Sequence, residues 1–327
     1  MPVFSALDRV AATPSLDSVI AWAERPLAGL PRAVRDGLHG VWLGHPLHPA
    51  LAQAPIGLWT SAAVLDLLAA TRPPGDSRDQ AEDAAGVLIA LGLAAAPLAA
   101  ASGATDWSRL DRPRQRVGLV HAALNTAGIA LSVASLVSRR RGRSGLARAL
   151  SLAGAGASGL AAGVGGHLSY RHAAGANHAP DVPAELPAGA VDLPAGTAPS
   201  SPASSGDPSG EDPRGELDGG VPWTAVSGVT ELQELRPARG LLGDLPVAVV
   251  VREGRVHVLA DSCSHLGGPL SEGHLEDGCL VCPWHGSAFR LEDGSVRHGP
   301  ATAAQPALEA RMRNGIVEAR LLTLTPR

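Results

Sequence analysis

The sequence has 327 residues, 45% of them hydrophobic, and a formal charge of −4 at pH 7. This length is enough for two domains, and the slightly acidic balance argues against nucleic acid as a partner. Three cysteines exclude a disulfide framework and are typical of a protein in a reducing compartment.

Residues 1–44 contain short amphipathic stretches. Leu16, Val19, Ile20 and Leu27 recur at helical spacing with charged residues between them. A cleaved signal peptide is not expected, because the start lacks a positive segment followed by an apolar core. We predict an interfacial segment that lies along a membrane surface.

Four apolar stretches follow, and each approaches the roughly 20 residues that a helix needs to cross a bilayer. The connecting segments carry nearly all of the charge, as the loops of a membrane protein do. A soluble all-helical bundle is the alternative. The pattern predicts a four-helix transmembrane bundle in lipid over residues 45–172. The predicted spans are 49–65, which continues past Asp66 to residue 70, and 84–105, 117–138 and 149–166.

The C-terminal half begins with a change in composition. Residues 173–220 contain eight prolines, eight acidic residues and one arginine, which predicts a disordered linker that tethers the next domain without docking it. Beyond the linker, the runs of β-forming residues at 245–251 and 255–260 flank a turn at Gly254. We predict a small antiparallel all-β domain over residues 221–327.

Two short motifs in that domain carry metal-ligating side chains. Cys263-Ser-His265 is followed, after sixteen residues, by Cys282-Pro-Trp-His285. Two thiolates and two neutral imidazoles neutralise the +2 charge of two ferric ions and two sulfides, which predicts one [2Fe–2S] cluster per chain. A structural zinc site is the alternative, because zinc also takes two Cys and two His. The flanking glycines and prolines fit loops that cover a cluster better than a short finger helix.

These motifs resemble the Rieske family. The segments that carry the resemblance are CSHLGGPLSEG and CPWHGSAFRLEDG, followed by the tripeptide GPA, and it covers about residues 221–327. The resemblance implies that the two cysteines hold one iron and the two histidines hold the other. It also implies that the histidines lie at the exposed tip of the domain.

The sequence departs from the respiratory members of this family. Gly268 and Trp284 occupy positions where those members carry a disulfide, so Cys279 has no partner and is expected to be a buried strand residue. Ser287 matches a hydroxyl that tunes the cluster, whereas Phe289 replaces a tyrosine that bonds a ligand thiolate. Because hydrogen bonds to sulfur raise the reduction potential, we expect an intermediate potential.

The membrane half also carries a resemblance. An HPLHP run, the helix ALAQAPIGLWTSAAVLDLL after it and a GGHLSYRH segment are similar to a bacterial four-helix membrane family of unknown function. The resemblance covers about residues 40–172. It implies no activity.

Histidines gather at one end of the predicted bundle. If the four helices alternate in direction, one membrane face carries His45, His48, His121, His167 and His172. His48 or His121 together with His167 could hold a haem b, because bundles build cofactor sites from facing helices. A quinone pocket, a metal site, or polar residues at a wet interface are the alternatives.

The leading hypothesis from the sequence is a multi-pass protein of the bacterial cell membrane that transfers single electrons. It would connect a membrane redox centre or quinone with a partner protein, either an oxidoreductase or an electron carrier. No self-contained catalytic site is identified. The alternatives are a membrane oxidoreductase with its site among the helix histidines, and a redox-sensing subunit.

The orientation of the chain follows from weak signals. Arginines near the helix ends are equally numerous on both faces, so their distribution does not decide the question. We expect the cluster domain in the cytoplasm, because the disulfide is missing. The run Arg139-Arg140-Arg141 is the contrary signal, since a degenerate twin-arginine export sequence would place the domain outside.

Overall fold

The computed structural model describes residues 2–180, 223–229 and 232–321. A helical N-terminal part is followed by a β-rich C-terminal part. Residues 181–220, which form most of the predicted linker, lie outside the described residues.

The described N-terminal part contains seven α-helices, and the last of them continues as a π-helical turn over His167–Arg171. Helices α4 to α6 follow the first three predicted spans and extend beyond them at both ends, and α7 begins before the fourth span and ends with it. The helices are α1 (Pro2–Ala11), α2 (Asp17–Ala28), α3 (Arg32–His39), α4 (Leu47–Thr71), α5 (Asp76–Trp107), α6 (Arg112–Arg140) and α7 (Ser144–Gly166).

Helices α4 to α7 are long and apolar enough to cross a membrane. They contain 25, 32 and 29 residues, and 28 when α7 is counted with its π-helical turn. Large apolar side chains cover their outer surfaces: Leu67, Val87, Leu91 and Leu160 are each more than half exposed. A surface of this kind suits lipid tails, and the predicted four-helix membrane bundle is confirmed.

The bundle is packed through small residues. Trp59 fills the interior between α4 and α5 next to Ala62, Ala85 and Ile89. A Cβ atom at Gly92 would lie 2.3 Å from the Trp59 ring nitrogen, so only glycine leaves room for this indole. Close approach of this kind gives membrane helices their van der Waals contact.

The N-terminal helices lie against the histidine-bearing end of the bundle. Leu7 of α1 packs with Val117 of α6 and Leu168 of the π-helical turn. The guanidinium of Arg116 donates two hydrogen bonds, 2.8 and 2.9 Å long, to the Asp17 carboxylate of α2. These contacts fix the predicted interfacial segment to the bundle.

The C-terminal part is the predicted antiparallel β domain. Its named strands form one sheet in the order β1-β10-β9-β4-β3-β2 and a second in the order β5-β6-β7-β8. The strands are β1 (Thr224–Ala225), β2 (Ala238–Leu242), β3 (Leu245–Arg252), β4 (Arg255–Ala260), β5 (His274–Glu276), β6 (Cys279–Val281), β7 (Ala288–Arg290), β8 (Val296–His298), β9 (Ala307–Arg313) and β10 (Ile316–Leu321).

Each sheet contributes to the core that supports the metal-ligating loops. Val247, Val249 and Val258 fill one side of the larger sheet. The other side meets the smaller sheet through Leu280 and Phe289, which are fully buried. The two candidate cysteines belong to this second core.

Candidate metal centre

Two loops of similar construction carry the four predicted ligands. The first follows β4, and in it the Gly267 amide donates a 2.7 Å hydrogen bond to the Cys263 carbonyl. The second follows β6, where the Gly286 amide donates a 3.1 Å bond to the Cys282 carbonyl. Both glycines have φ near +75°, which favours glycine. The turns therefore hold each cysteine and its histidine on the same side of a tight loop.

The four side chains converge on a small, largely buried space. The rings of His265 and His285 lie 5.0 Å apart between centroids. Cys263 and Cys282 are 1% and 3% exposed, and their thiols lie close enough to shift each other's pKa. A Cβ atom at Gly268 would lie 2.9 Å from the Cys282 sulfur, so glycine leaves space beside this thiol.

Charge and hydrogen bonding at the site fit metal ligands. The Nδ1 atom of His265 is buried and has no hydrogen-bond partner among the described residues, although a buried polar atom normally has one. Burial lowers the pKa of His265 to about 3 and also lowers the pKa of His285. Both imidazoles are therefore neutral at pH 7, which is the form that binds metal.

The two predicted tuning residues lie beside the first cysteine and in the core. Ser287 is fully buried, lies beside the Cys263 side chain, and accepts a 3.0 Å bond from the Ala301 amide. Phe289 is also fully buried and offers no donor to the sulfurs. Cys279 lies in β6 and is buried, as expected.

Gln305, which the sequence analysis did not single out, braces the first loop. Its amide group donates to the carbonyls of Ala260 and Ser262 at 2.7 and 2.8 Å and accepts from the Ser264 amide at 3.0 Å. The side chain is 1% exposed. One residue thus satisfies three backbone groups around the loop that carries two candidate ligands.

The metal-ligating end of the β domain contacts the histidine-bearing end of the bundle. The Asp36 carboxylate of α3 accepts hydrogen bonds from the His298 ring at 2.9 Å and from the Gly299 amide at 3.0 Å. The His178 amide donates a 2.8 Å bond to the carbonyl of Ser264, which precedes His265. These contacts differ from the free tether that the linker composition predicts.

The membrane histidines form two groups. His48 and His121 donate from Nδ1 to carbonyls of the neighbouring helices, at 2.9 Å to Ala99 and 2.8 Å to Ala161, and their rings lie 6.1 Å apart. His167 instead contacts the His172 ring, 5.0 Å away. The ring contacts therefore join different partners from the predicted pairing of His48 or His121 with His167.

A further buried histidine lies between these groups and the β domain. His39 of α3 is 2% exposed and its Nδ1 donates a 2.6 Å hydrogen bond to Asp106 at the end of α5. A Cβ atom at Gly299 would lie 3.3 Å from the His39 ring. The sequence analysis missed this pair, because its two members are 67 residues apart.

Comparison with known families divides the chain in the same way. Residues 44–178 match a family described as predicted membrane protein (DUF2231), and residues 222–310 match the Rieske [2Fe-2S] domain.

Individual relatives match the β domain. The ferredoxin subunit of anthranilate 1,2-dioxygenase from Burkholderia cepacia is 32% identical over 29% of this chain and 89% of its own length. Ferredoxin CarAc from Metapseudomonas resinovorans is 29% identical over 29% of this chain and 90% of its own length. A solved complex of reduced oxygenase and oxidized ferredoxin in carbazole 1,9a-dioxygenase is 28% identical, with a TM-score of 0.28 over 30% of this chain and 92% of its own. Through its C-terminal domain, this chain belongs to the Rieske [2Fe-2S] family.

Proposed function

We propose that this protein is a membrane-anchored Rieske iron–sulfur protein that passes single electrons between a membrane redox centre or quinone and a partner protein. The observation that carries the proposal is the convergence of two buried thiols and two neutral imidazoles on adjacent loops. The buried Nδ1 atom of His265, which has no hydrogen-bond partner among the described residues, fits the role of a metal ligand.

We assign the four ligands by their chemistry. Cys263 and Cys282 would hold one iron as thiolates, and His265 and His285 would hold the other as neutral imidazoles. The cluster, when bound, supplies one-electron chemistry. The protein keeps the imidazoles neutral by burial and braces the first loop through Gln305.

The ligand assignment predicts which cysteine and histidine variants lose the cluster. Cys263→Ser and His285→Gln should each abolish the electron paramagnetic resonance signal of the reduced cluster, because each removes an iron ligand. Cys279→Ala is the matched control, since Cys279 is also buried but lies in β6 outside the ligand set. A signal that persists in Cys263→Ser, or one that is lost in Cys279→Ala, would contradict the assignment.

The surface beside the proposed cluster has a feature of protein-binding surfaces. Trp284 is 56% exposed, and its ring centroid lies 6.4 Å from that of His285. Exposed aromatic side chains are enriched where proteins bind one another. Because relatives of the β domain are ferredoxins named with dioxygenases, we propose an oxidoreductase, such as an oxygenase component, as the partner.

We place the protein in the bacterial cell membrane with its β domain in the cytoplasm. Four apolar helices support insertion into lipid. The thiol at Cys279 stays free, and the family's disulfide positions hold Gly268 and Trp284, which suits a reducing compartment.

A second candidate is a self-contained membrane oxidoreductase in which a haem b or quinone occupies the histidine-bearing end of the bundle. The contact between that end and the first metal-ligating loop favours this candidate, because a cluster there would face the bundle directly. An absorption spectrum of reduced, detergent-purified protein discriminates the haem version, which requires a Soret band. Quinol oxidation without an added partner would favour the quinone version.

A further inference from the structure

Three metal-ligating side chains outside the Rieske site lie together at the histidine-bearing end of the bundle. Asp8 lies in α1, His167 begins the π-helical turn, and His172 directly follows that turn. One ligand atom from each of the three lies within 4.8 Å of the other two. The set contains two imidazoles and one carboxylate, which is a common ligand set for first-row transition metals.

The π-helical turn explains why the two histidines meet. The His172 amide donates to the His167 carbonyl at 3.4 Å, a bond across five residues rather than four. In a regular α-helix, a residue lies above the one four positions before it. In the wider π-helical turn it lies above the one five positions before it, so the rings of His167 and His172 come into contact. Single π-helical turns occur frequently at functional sites.

Neighbouring contacts hold the three side chains in place. The packing of Leu7 on Val117 and Leu168 fixes α1, and therefore Asp8, against the end of α7. The Arg114 side chain donates a 2.9 Å hydrogen bond to the His172 carbonyl. Supported ligands of this kind lose little freedom when a metal binds.

One further observation supports His172 as a metal ligand. The Nε2 atom of His172 is buried and has no hydrogen-bond partner among the described residues. Asp8 also forms an ion pair with Arg171 at 3.3 Å, in which both side chains are about half exposed. This ion pair does not involve His172 and provides no partner for its Nε2 atom. A carboxylate also has enough acceptor sites to serve both an arginine and a metal ion.

We propose that Asp8, His167 and His172 bind one divalent first-row transition-metal ion, of which Zn²⁺ is the probe. Three protein ligands leave room for water or another molecule at the remaining coordination position. The segment that follows His172 leads to His178, whose amide contacts the loop of His265. The site therefore lies one short segment away from the proposed cluster and shares no residue with it.

The test is a Zn²⁺ titration of detergent-purified, cluster-containing protein after treatment with a chelator. Isothermal titration calorimetry should find one saturable site per chain, and the reduced-cluster resonance signal should be unchanged throughout. His172→Gln and Asp8→Asn should each weaken this binding at least about tenfold, because each removes a ligand. His45→Gln, which changes an exposed histidine on the same face, should bind Zn²⁺ like the unaltered protein.

A second measurement covers the case in which a variant folds poorly. Zn²⁺ should slow tryptic cleavage after Arg9 of α1 in the unaltered protein, because the metal would join Asp8 to the bundle. The same protection should be missing in Asp8→Asn, whose exposed side chain keeps its shape. The proposal would be overturned by the absence of saturable binding, by Zn²⁺ binding in both ligand variants that is as tight as in the unaltered protein, or by equal competition from Ca²⁺. A cluster lost with intact Zn²⁺ binding would contradict only the function proposed above.

Discussion

Ser287 is a single side chain that we expect to influence the reduction potential of the cluster. Its hydroxyl is fully buried, lies beside the Cys263 side chain and accepts a hydrogen bond from the Ala301 amide. Phe289, where the respiratory type has a tyrosine, brings no second donor. A single hydroxyl beside the sulfurs, with no second donor from Phe289, is consistent with the intermediate potential expected from the sequence.

The first prediction at the residue scale concerns this hydroxyl. Ser287→Ala should lower the reduction potential, because a hydroxyl at this position can donate a hydrogen bond to a cluster sulfur and so stabilise the more negative, reduced state. A shift on the order of 59 mV would correspond to a tenfold change in a one-electron equilibrium constant. Redox titration followed by the resonance signal measures it, and Ser295→Ala, on a turn of the same small sheet, is the control. An unchanged potential in Ser287→Ala would remove the tuning role.

The role of some residues can be predicted from the sequence, and the role of others cannot. Cys263 and His285 stand out because their spacing is tied to a chemistry. Gln305 and Asp36 do not, because their roles depend on partners 41 and more than 260 residues away along the chain. No local pattern marks such a pair, and only the folded chain brings its members together.

At the scale of elements, hydropathy was sufficient for the four long helices and failed for their details. The spans follow from apolar length alone, so their existence was predicted correctly. The π-helical turn at His167–Arg171 was not predicted, because nothing in the composition of this segment distinguishes a π-helical turn from a regular α-helical turn. Hydropathy also gives no role to Asp66, which is fully buried inside the bundle.

Asp66 gives the prediction at this scale. Its carboxylate accepts two hydrogen bonds from Arg139 of α6, one of 2.6 Å, which links α4 to α6. Arg139→Met should destabilise the bundle by about 3–5 kcal/mol, because it leaves a buried carboxylate unpaired. Thermal unfolding in detergent measures this loss, and Arg140→Met, which changes the exposed neighbour, should unfold like the unaltered protein.

The double variant makes that prediction stricter. Asp66→Leu combined with Arg139→Met removes both charges, so most of the lost stability should return. A double variant as unstable as Arg139→Met alone would show that the arginine acts through another contact. Its bond to the Glu82 carbonyl, at 2.9 Å, would then be the candidate.

At the scale of the whole molecule, the chain joins a β domain to a bundle through polar contacts that surround the proposed cluster. Asp36 accepts two hydrogen bonds from the segment after β8, while His178 bonds the first metal-ligating loop. Burial is the largest cause of the low pKa of His265 and His285. The positive charge of Arg109, which follows α5, is the next cause for His285, and for His265 it ranks after three neighbouring histidines. The bundle is thus positioned to influence the metal-ligating histidines directly.

If Asp36 holds the two parts together, its removal should loosen contacts that it does not itself make. Asp36→Ala should increase hydrogen exchange at the His178 amide at least about tenfold, because the loss of two hydrogen bonds to a charged acceptor costs more than the 1.4 kcal/mol that a tenfold change represents. Exchange in β3 and β4 should not change, since these strands lie within the β domain. Asp83→Ala, at an exposed acid on the other end of the bundle, is the control. Exchange at His178 that matches the unaltered protein would mean that the two parts are held together by the remaining contacts, with Arg32 and Glu276 as the next pair to change.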